Sequence, residues 1–472
     1  MLFRSGWLLL ASLFFYGYWL PVYTLLLTAS IAVNFVIGLR LLKLRAGLPA
    51  PEPAPAIARR WLTLGVALNL GLLGYFKYAN FFVDNLNATL GMHWQIGAVL
   101  LPIGISFYCF TQIAYLVDTC QGKVQEADVV HYGLFVTYFP HLIAGPVLHH
   151  SQMMPQFADA SIYKPRAATL VAGMVIFAIG LFKKVVLADG VSPYADAIFK
   201  AAENGTLSGQ GEAWIGALAY TLQLYFDFSG YSDMAIGLSW MFNVRLPFNF
   251  DTPYRATNIS DFWRRWHISL STFLRDYLYI ALGGNRKGEW RRYANLLITM
   301  VLGGLWHGAS WSFVIWGALH GFYLLINHGF RALLGERRCR AVDNSRAASL
   351  AGWALTLLAV IVGWVFFRAQ TLQGALLMLQ AMVGFGNNGD AMNSLWNAGL
   401  HAPTATLWCA VLGGLAVLGP NANALGKRTL AFTQQAGVPR AALGTVTLLL
   451  LLFLLLLNTA RDSVSAFIYF NF

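Results

Sequence analysis

The chain predicts an all-α, polytopic membrane protein, and three features carry that expectation. Of its 472 residues 57% are hydrophobic, only 11% are charged, and the apolar residues come in repeated runs close to the length of a membrane crossing. With a mean hydropathy of +0.57, the chain carries more apolar surface than one globular core can hide. Inside hydrocarbon a backbone must satisfy itself, and runs of about 20 residues are the length of a helical span rather than a strand. Candidate spans lie near 6–20, 22–42, 61–83, 97–117, 132–148, 167–187, 213–242, 294–330, 350–367, 405–419 and 441–458. Splitting the longest gives about ten to twelve crossings.

In chain order, Met1 to Arg4 and the apolar run to Leu20 look like a signal peptide, but no small-residue cleavage site closes the run and Pro21 leads straight into the next. It reads as the first membrane helix. The stretch 43–60, with Lys43, Arg45, Arg59 and Arg60, and the stretch 331–346, with Arg331, Arg337, Arg338, Arg340 and Arg346, are basic loops expected on the cytoplasmic side. The net charge of +12 resides mainly in such loops, which argues for topology signals and anionic lipid or donor, with no nucleic acid as partner. The polar loop around 384–403 is the largest hydrophilic excursion, and no linker or fixed-period repeat divides the chain. A single membrane-embedded domain over 1–472 is expected. Cys109, Cys120, Cys339 and Cys409 form no C-x-x-C pair and no metal-ligand spacing, so no metal site is expected.

Two segments carry candidate chemistry. The stretch 249–286, NFDTPYRATNISDFWRRWHISLSTFLRDYLYIALGGNR, interrupts an otherwise apolar chain. Asn258 followed by Asp261 resembles a helix-capping pair. A helix from there stacks Phe262, Trp266, Leu270, Phe273 and Tyr277 on one face and Arg264, His267, Ser271 and Arg275 on another, as in an interfacial helix or one bordering a polar cavity. The second segment is Leu305-Trp306-His307-Gly308, inside an apolar run. An ionisable group at that depth faces the bundle interior or a cavity, and Gly303, Gly304 and Gly308 admit a close neighbour. A histidine there is either a proton acceptor or an interhelical packing group. His320 reads as structural, because one continuous helix would turn it away from His307; His141, His149 and His150 either line an entrance or mark a membrane boundary, the boundary being the reading preferred. There is no P-loop, dinucleotide fingerprint, G-x-S-x-G elbow or H-E-x-x-H pair, and although Ser310 and Ser312 lie near His307, nothing marks a covalent serine mechanism.

Set side by side, the two histidine segments resemble the membrane-bound O-acyltransferase family, and within it the bacterial branch holding the alginate O-acetyltransferase membrane subunit and the D-alanyl transfer protein of teichoic acid modification. The likeness includes SFYCFTQIAYLVD at 106–118, FPHLIAGPVLHHSQMMPQF at 139–157, GLFKKVVLAD at 180–189, YFDFSGYSDMAIGLSWMFNVRLPFNF at 225–250, FWRRWHISLSTFLRDYLYIALGGNR at 262–286, LWHGASWSFVIWGALHG at 305–321, GWVFFRA at 363–369 and FIYFNF at 467–472. Relatives of the alginate type begin with a further hydrophobic segment ahead of the part resembling Trp7 to Leu20.

The resemblance implies a helical bundle with re-entrant or interfacial helices around a central funnel, and a catalytic core over about 100–330. It also implies His307 as the catalytic histidine and His267 as its companion. On charge and position, Arg264, Ser271, Arg275 and Trp306 are expected to meet the donor, the arginines through its phosphates. No bound cofactor is expected, with acetyl-CoA as the acyl donor substrate. The expected activity is an O-acyltransferase of the bacterial inner membrane that passes acetyl groups toward an exopolysaccharide such as alginate or cellulose. The expected partners are a periplasmic, serine-hydrolase-like acetyltransferase and a polymer synthase complex. Two other classes stay open on the residues alone: a polysaccharide or glycolipid transporter using the histidines as proton relays, and a non-catalytic scaffold.

Overall fold

A computed structural model describes residues 2–436 apart from 19–20, 49–51, 53, 98, 144 and 386–392, and beyond them only 439, 443–446, 449–450 and 453. Most of the expected span 441–458, the ending FIYFNF and the middle of the 384–403 loop lie outside the described residues. Among the described residues the regular elements are helices, as the apolar runs predict. Among the described residues four are long and apolar enough to cross a membrane: Pro21–Arg45, Ala56–Leu90, Ala167–Glu203 and Arg346–Arg368. A fifth follows if Ala402–Leu418 and Ala422–Gln435, bent by 57° at their junction, form one broken span.

Ten to twelve runs were expected, and physical reasons separate several of the others from these four. Ile105–Cys120 and Leu2–Gly17 have only 16 residues each, short of a full crossing. Glu289–His307 opens on Glu289, Arg291 and Arg292, and Trp311–Asn344 runs through a break at Gly335 (φ 68°) into the basic stretch. The expected span 132–148 is instead a short helix, Val129–Thr137, one further turn, Phe139–Leu142, and irregular chain. Pro140 in that turn lacks the N–H a continuous helix needs.

The chain groups into two compact units. The first comprises Met1–Phe177, Met234–Pro247 and Thr429–Ala442. Its buried centre is Ile105–Cys120, packed against Pro21–Arg45 and Ala56–Leu73. Glycines permit the approach: a Cβ at Gly38 would lie 2.6 Å from the Tyr115 ring, and one at Gly65 2.5 Å from Leu116. Side-chain amides tie the same helices, with Asn69 donating to Asn34 Oδ1 at 2.6 Å and Gln112 to Ser30 Oγ at 3.0 Å. His150 sits against Asp118 at 3.0 Å in this unit and is buried, as is His141.

The second unit comprises Ala178–Asp233, Phe248–Arg428 and Leu443–Phe472. In it Glu289–His307 and Trp311–Asn344 form a tight helical hairpin, against which Arg346–Arg368 packs. The hairpin closes backbone to backbone: a Cβ on Gly304 would lie 2.2 Å from the Phe313 carbonyl oxygen, and one on Gly317 2.4 Å from that of Met300. All the expected site residues fall in this unit.

Candidate active site

The segment 249–279 does not form the single amphipathic helix its periodicity predicts. Asn258 does cap a helix, accepting from Asp261 N at 2.9 Å, but that helix, Ile259–Arg265, stops at Trp266. His267 then takes a left-handed backbone conformation (φ 44°, ψ 54°), and a second helix, Ile268–Phe273, passes into a π-helical turn, Leu274–Tyr279. Such a conformation is strained for a residue with a Cβ and persists only where its surroundings impose it. Here the extended residues 249–251 do so. Asp251 N donates to Arg265 O (2.9 Å) and Ile268 N to Asn249 O (3.0 Å), bracketing the break.

The break removes His267 from the polar face it was expected to share with Arg264, Ser271 and Arg275. His267 is wholly buried, whereas Arg264 and Arg275 are exposed, with Arg275 paired to Asp276 at 2.7 Å. The Ser271 hydroxyl donates to Trp266 O at 3.4 Å. The His267 ring is oriented by Asn249, whose Oδ1 accepts from Ser269 N (3.2 Å) and Ser269 Oγ (2.9 Å) and lies 3.2 Å from His267 Nδ1. Because a backbone N–H donates to it, that Asn249 atom is the oxygen, so Nδ1 carries a proton and the lone pair of the neutral ring sits on Nε2.

His307 is the last residue of its helix, which ends because Gly308 is fully extended (φ −169°). A Cβ on Gly308 would fall 2.2 Å from the Phe313 ring, so only glycine lets the chain turn here. The ring centroids of His267 and His307 are 6.5 Å apart. That is too far for a direct hydrogen bond and near enough for one small group between them. Trp306, the other expected residue of this segment, is buried and packs beside the pair, 6.1 Å from His267 and 5.0 Å from His307.

His320 lies on the helix after His307's, not on a continuation of it, and the two histidines flank one indole: Trp316 is 5.1 Å from His307 and 4.9 Å from His320. Its burial is complete and neither ring nitrogen has a hydrogen-bond partner among the described residues.

Several residues at the site had not been singled out. Asn249 orients His267, Phe228 packs on that ring edge-on at 4.7 Å, and Phe367, beyond the expected 100–330 core, packs on His307 at 5.1 Å. No local pattern marks them. A charged network had a readable signal, two adjacent lysines within an apolar span. Lys184 Nζ contacts Asp227 (2.8 Å) and Asp189 (2.7 Å), and Lys183 Nζ contacts Asp233 (2.6 Å). A π-helical turn at Lys183–Ala188 brings Lys184 and Asp189, five residues apart, onto one another.

Residues 106–369, which hold both histidines, match the membrane-bound O-acyltransferase family. The chain is 42% identical over its whole length to the probable alginate O-acetylase AlgI of Azotobacter vinelandii, covering 95% of that protein, and 43% identical to its Pseudomonas putida counterpart with the same coverage. It is also 43% identical, over 81% of its own length and 74% of the relative's, to the peptidoglycan O-acetyltransferase of Helicobacter pylori. The chain belongs to the membrane-bound O-acyltransferase family. It is an all-helical, multi-pass O-acyltransferase of the bacterial inner membrane, and membership implies an acyl-CoA-like donor.

Proposed function

We propose that this protein passes an acetyl group from cytosolic acetyl-CoA across the inner membrane toward an exopolysaccharide such as alginate or cellulose. The observation that supports this most is the burial of His307 beside His267 within the segment that matches the family. His307 acts as the general base. As the acceptor oxygen bonds to the acyl carbonyl carbon, His307 takes the hydroxyl proton, the C–S bond breaks, and the proton passes to the departing thiolate, leaving an ester and a free thiol. His267 holds the acceptor with the lone pair that Asn249 leaves on Nε2. The exposed guanidinium groups of Arg264 and Arg275 suit the donor's phosphates, with Ser271 and Trp306 completing the donor side. Residues 1–472 work as one acyltransferase domain, with a catalytic core over about 100–330 extended to Phe367.

No serine-nucleophile motif accompanies the histidines, so the polymer itself is acetylated by a separate periplasmic transferase working with a polymer synthase. The test is reconstitution in vesicles, with labelled acetyl-CoA on one side and polymer on the other. His307-dependent donor consumption is expected, with efficient polymer labelling only after a periplasmic transferase is added. Robust labelling by this chain alone would overturn the hand-off. The Helicobacter pylori relative supports a second reading, in which peptidoglycan is the polymer, and the same vesicles supplied with glycan strands separate the two.

A further inference from the structure

The general-base role proposed for His307 creates a positive charge in a buried, low-dielectric place, and the rings around it suit that charge. Resting on that role, we infer that Trp306, Trp316 and Phe367 form an aromatic cage that stabilises the imidazolium of His307 while it holds the proton. The three centroids stand 5.0, 5.1 and 5.1 Å from that of His307, with interplanar angles of 74°, 90° and 71°. A cation over the face of a ring and within about 6 Å of its centroid is attracted by the ring quadrupole, the attraction grows as water is excluded, and near-perpendicular pairs such as these set one ring's edge against the other's face. Water is excluded here: Trp306, Trp316 and Phe367 are 4%, 1% and 2% exposed and His307 is 3% exposed.

The rings come from three helices, Glu289–His307, Trp311–Asn344 and Arg346–Arg368, and they hold one another. Phe367 meets Trp316 at 5.1 Å and Phe313 at 4.9 Å, and Trp316 stacks on Trp364 at 5.8 Å with 18° between planes. The contact of Gly304 with Phe313 and Gly317 lets the second helix approach closely enough to carry Trp316 to His307. The interaction is strong with the protonated ring and weak with the neutral one. It therefore favours the state in which the proton has moved over the ground state, which is the condition for raising kcat rather than lowering KM. Trp316 and Phe367 are positioning residues, since they act on the reacting atoms through His307, and Trp306 adds this to its place on the donor side.

Fluorination tests this, because successive fluorines drain the ring quadrupole with little change of size. Increasingly fluorinated tryptophans are placed site-specifically at 316, and increasingly fluorinated phenylalanines at 367, with acetyl-CoA turnover measured in nanodiscs. The logarithm of kcat should fall in proportion to each ring's lost cation affinity, by about tenfold at the most fluorinated Trp316, with KM for acetyl-CoA unchanged. The position 367 series keeps the test decisive if a position 316 variant fails to fold. Flat rates in a folded series, with His307→Ala inactive, would overturn the cage and leave the general base standing. An active His307→Ala would overturn both.

Discussion

Unit 2 buries polar nitrogen in two different ways. Along the span Ala167–Glu203, Lys183 and Lys184 meet three carboxylates within 2.6–2.8 Å. Around the two site histidines, by contrast, the packing is largely aromatic, with Asn249 as the polar partner that orients His267. The difference follows from how long each charge lasts. A lysine kept charged in a low-dielectric interior needs a permanent counter-charge, because the desolvation penalty is several kcal/mol. A histidine that is neutral between turnovers needs stabilisation only while it holds a proton, and a fixed carboxylate beside it would stabilise the ion in the ground state too. The lysine network is therefore built of permanent ion pairs, and the ring-lined site suits the change of charge state proposed for His307.

The strongest way to break this contrast is at His307, the histidine proposed to move a proton. His307→Ala should lower acetyl-CoA turnover by about 10²–10⁴-fold, the usual worth of a positioned base, while the protein still reaches the membrane and elutes as a single species. Near-normal turnover would remove the base from the site altogether.

The lysine network should respond in stability. Lys183→Met leaves Asp233 buried without its counter-charge and should cost about 3–5 kcal/mol in detergent unfolding. Adding Asp233→Leu should recover most of that loss, because replacing a buried pair by apolar residues is often neutral. If the double variant is no better than the single, the pair does more than neutralise itself.

A smaller effect is expected at Asn249, whose side-chain oxygen serves Ser269 N, Ser269 Oγ and His267 Nδ1. Asn249→Ala should destabilise by about 1–3 kcal/mol through the groups left unsatisfied and should also lower kcat as the His267 tautomer loses its anchor. A loss of stability with kcat intact would make Asn249 a purely structural residue.

The smallest effect is predicted at His320. Its two ring nitrogens have no hydrogen-bond partner among the described residues, and it packs on Trp263, Trp316 and Tyr323. His320→Phe should change stability by less than about 1 kcal/mol and leave turnover unaltered, because replacing an unsatisfied polar group by an apolar one of similar shape is close to neutral. A collapse of turnover in a stable His320→Phe protein would add a third working histidine and blur the contrast.

Much of this was legible in the residues alone. Apolar runs declared a helical membrane protein, the paired WHIS and LWHG segments declared the family, and the glycines around His307 announced a close helix crossing, because composition, spacing and small side chains are local properties. The tertiary structure alone decided that His267 leaves the polar face of its helix. Helical periodicity predicts a continuous stripe through position 267, and the left-handed turn that breaks it is imposed by hydrogen bonds from residues 249–251, which no pattern within 258–277 encodes. It decided too that His307 ends one helix and His320 belongs to the next, with Trp316 between their rings, since the chain reverses at Gly308 to Ser310. The ring of Phe367 reaches His307 from a third helix, and Asp227 and Asp233 reach the lysines from another. A sequence records which side chains are apolar, charged or small, but which of them share a buried volume depends on how helices distant in the chain pack, and that packing is what sets the electrostatics of the site.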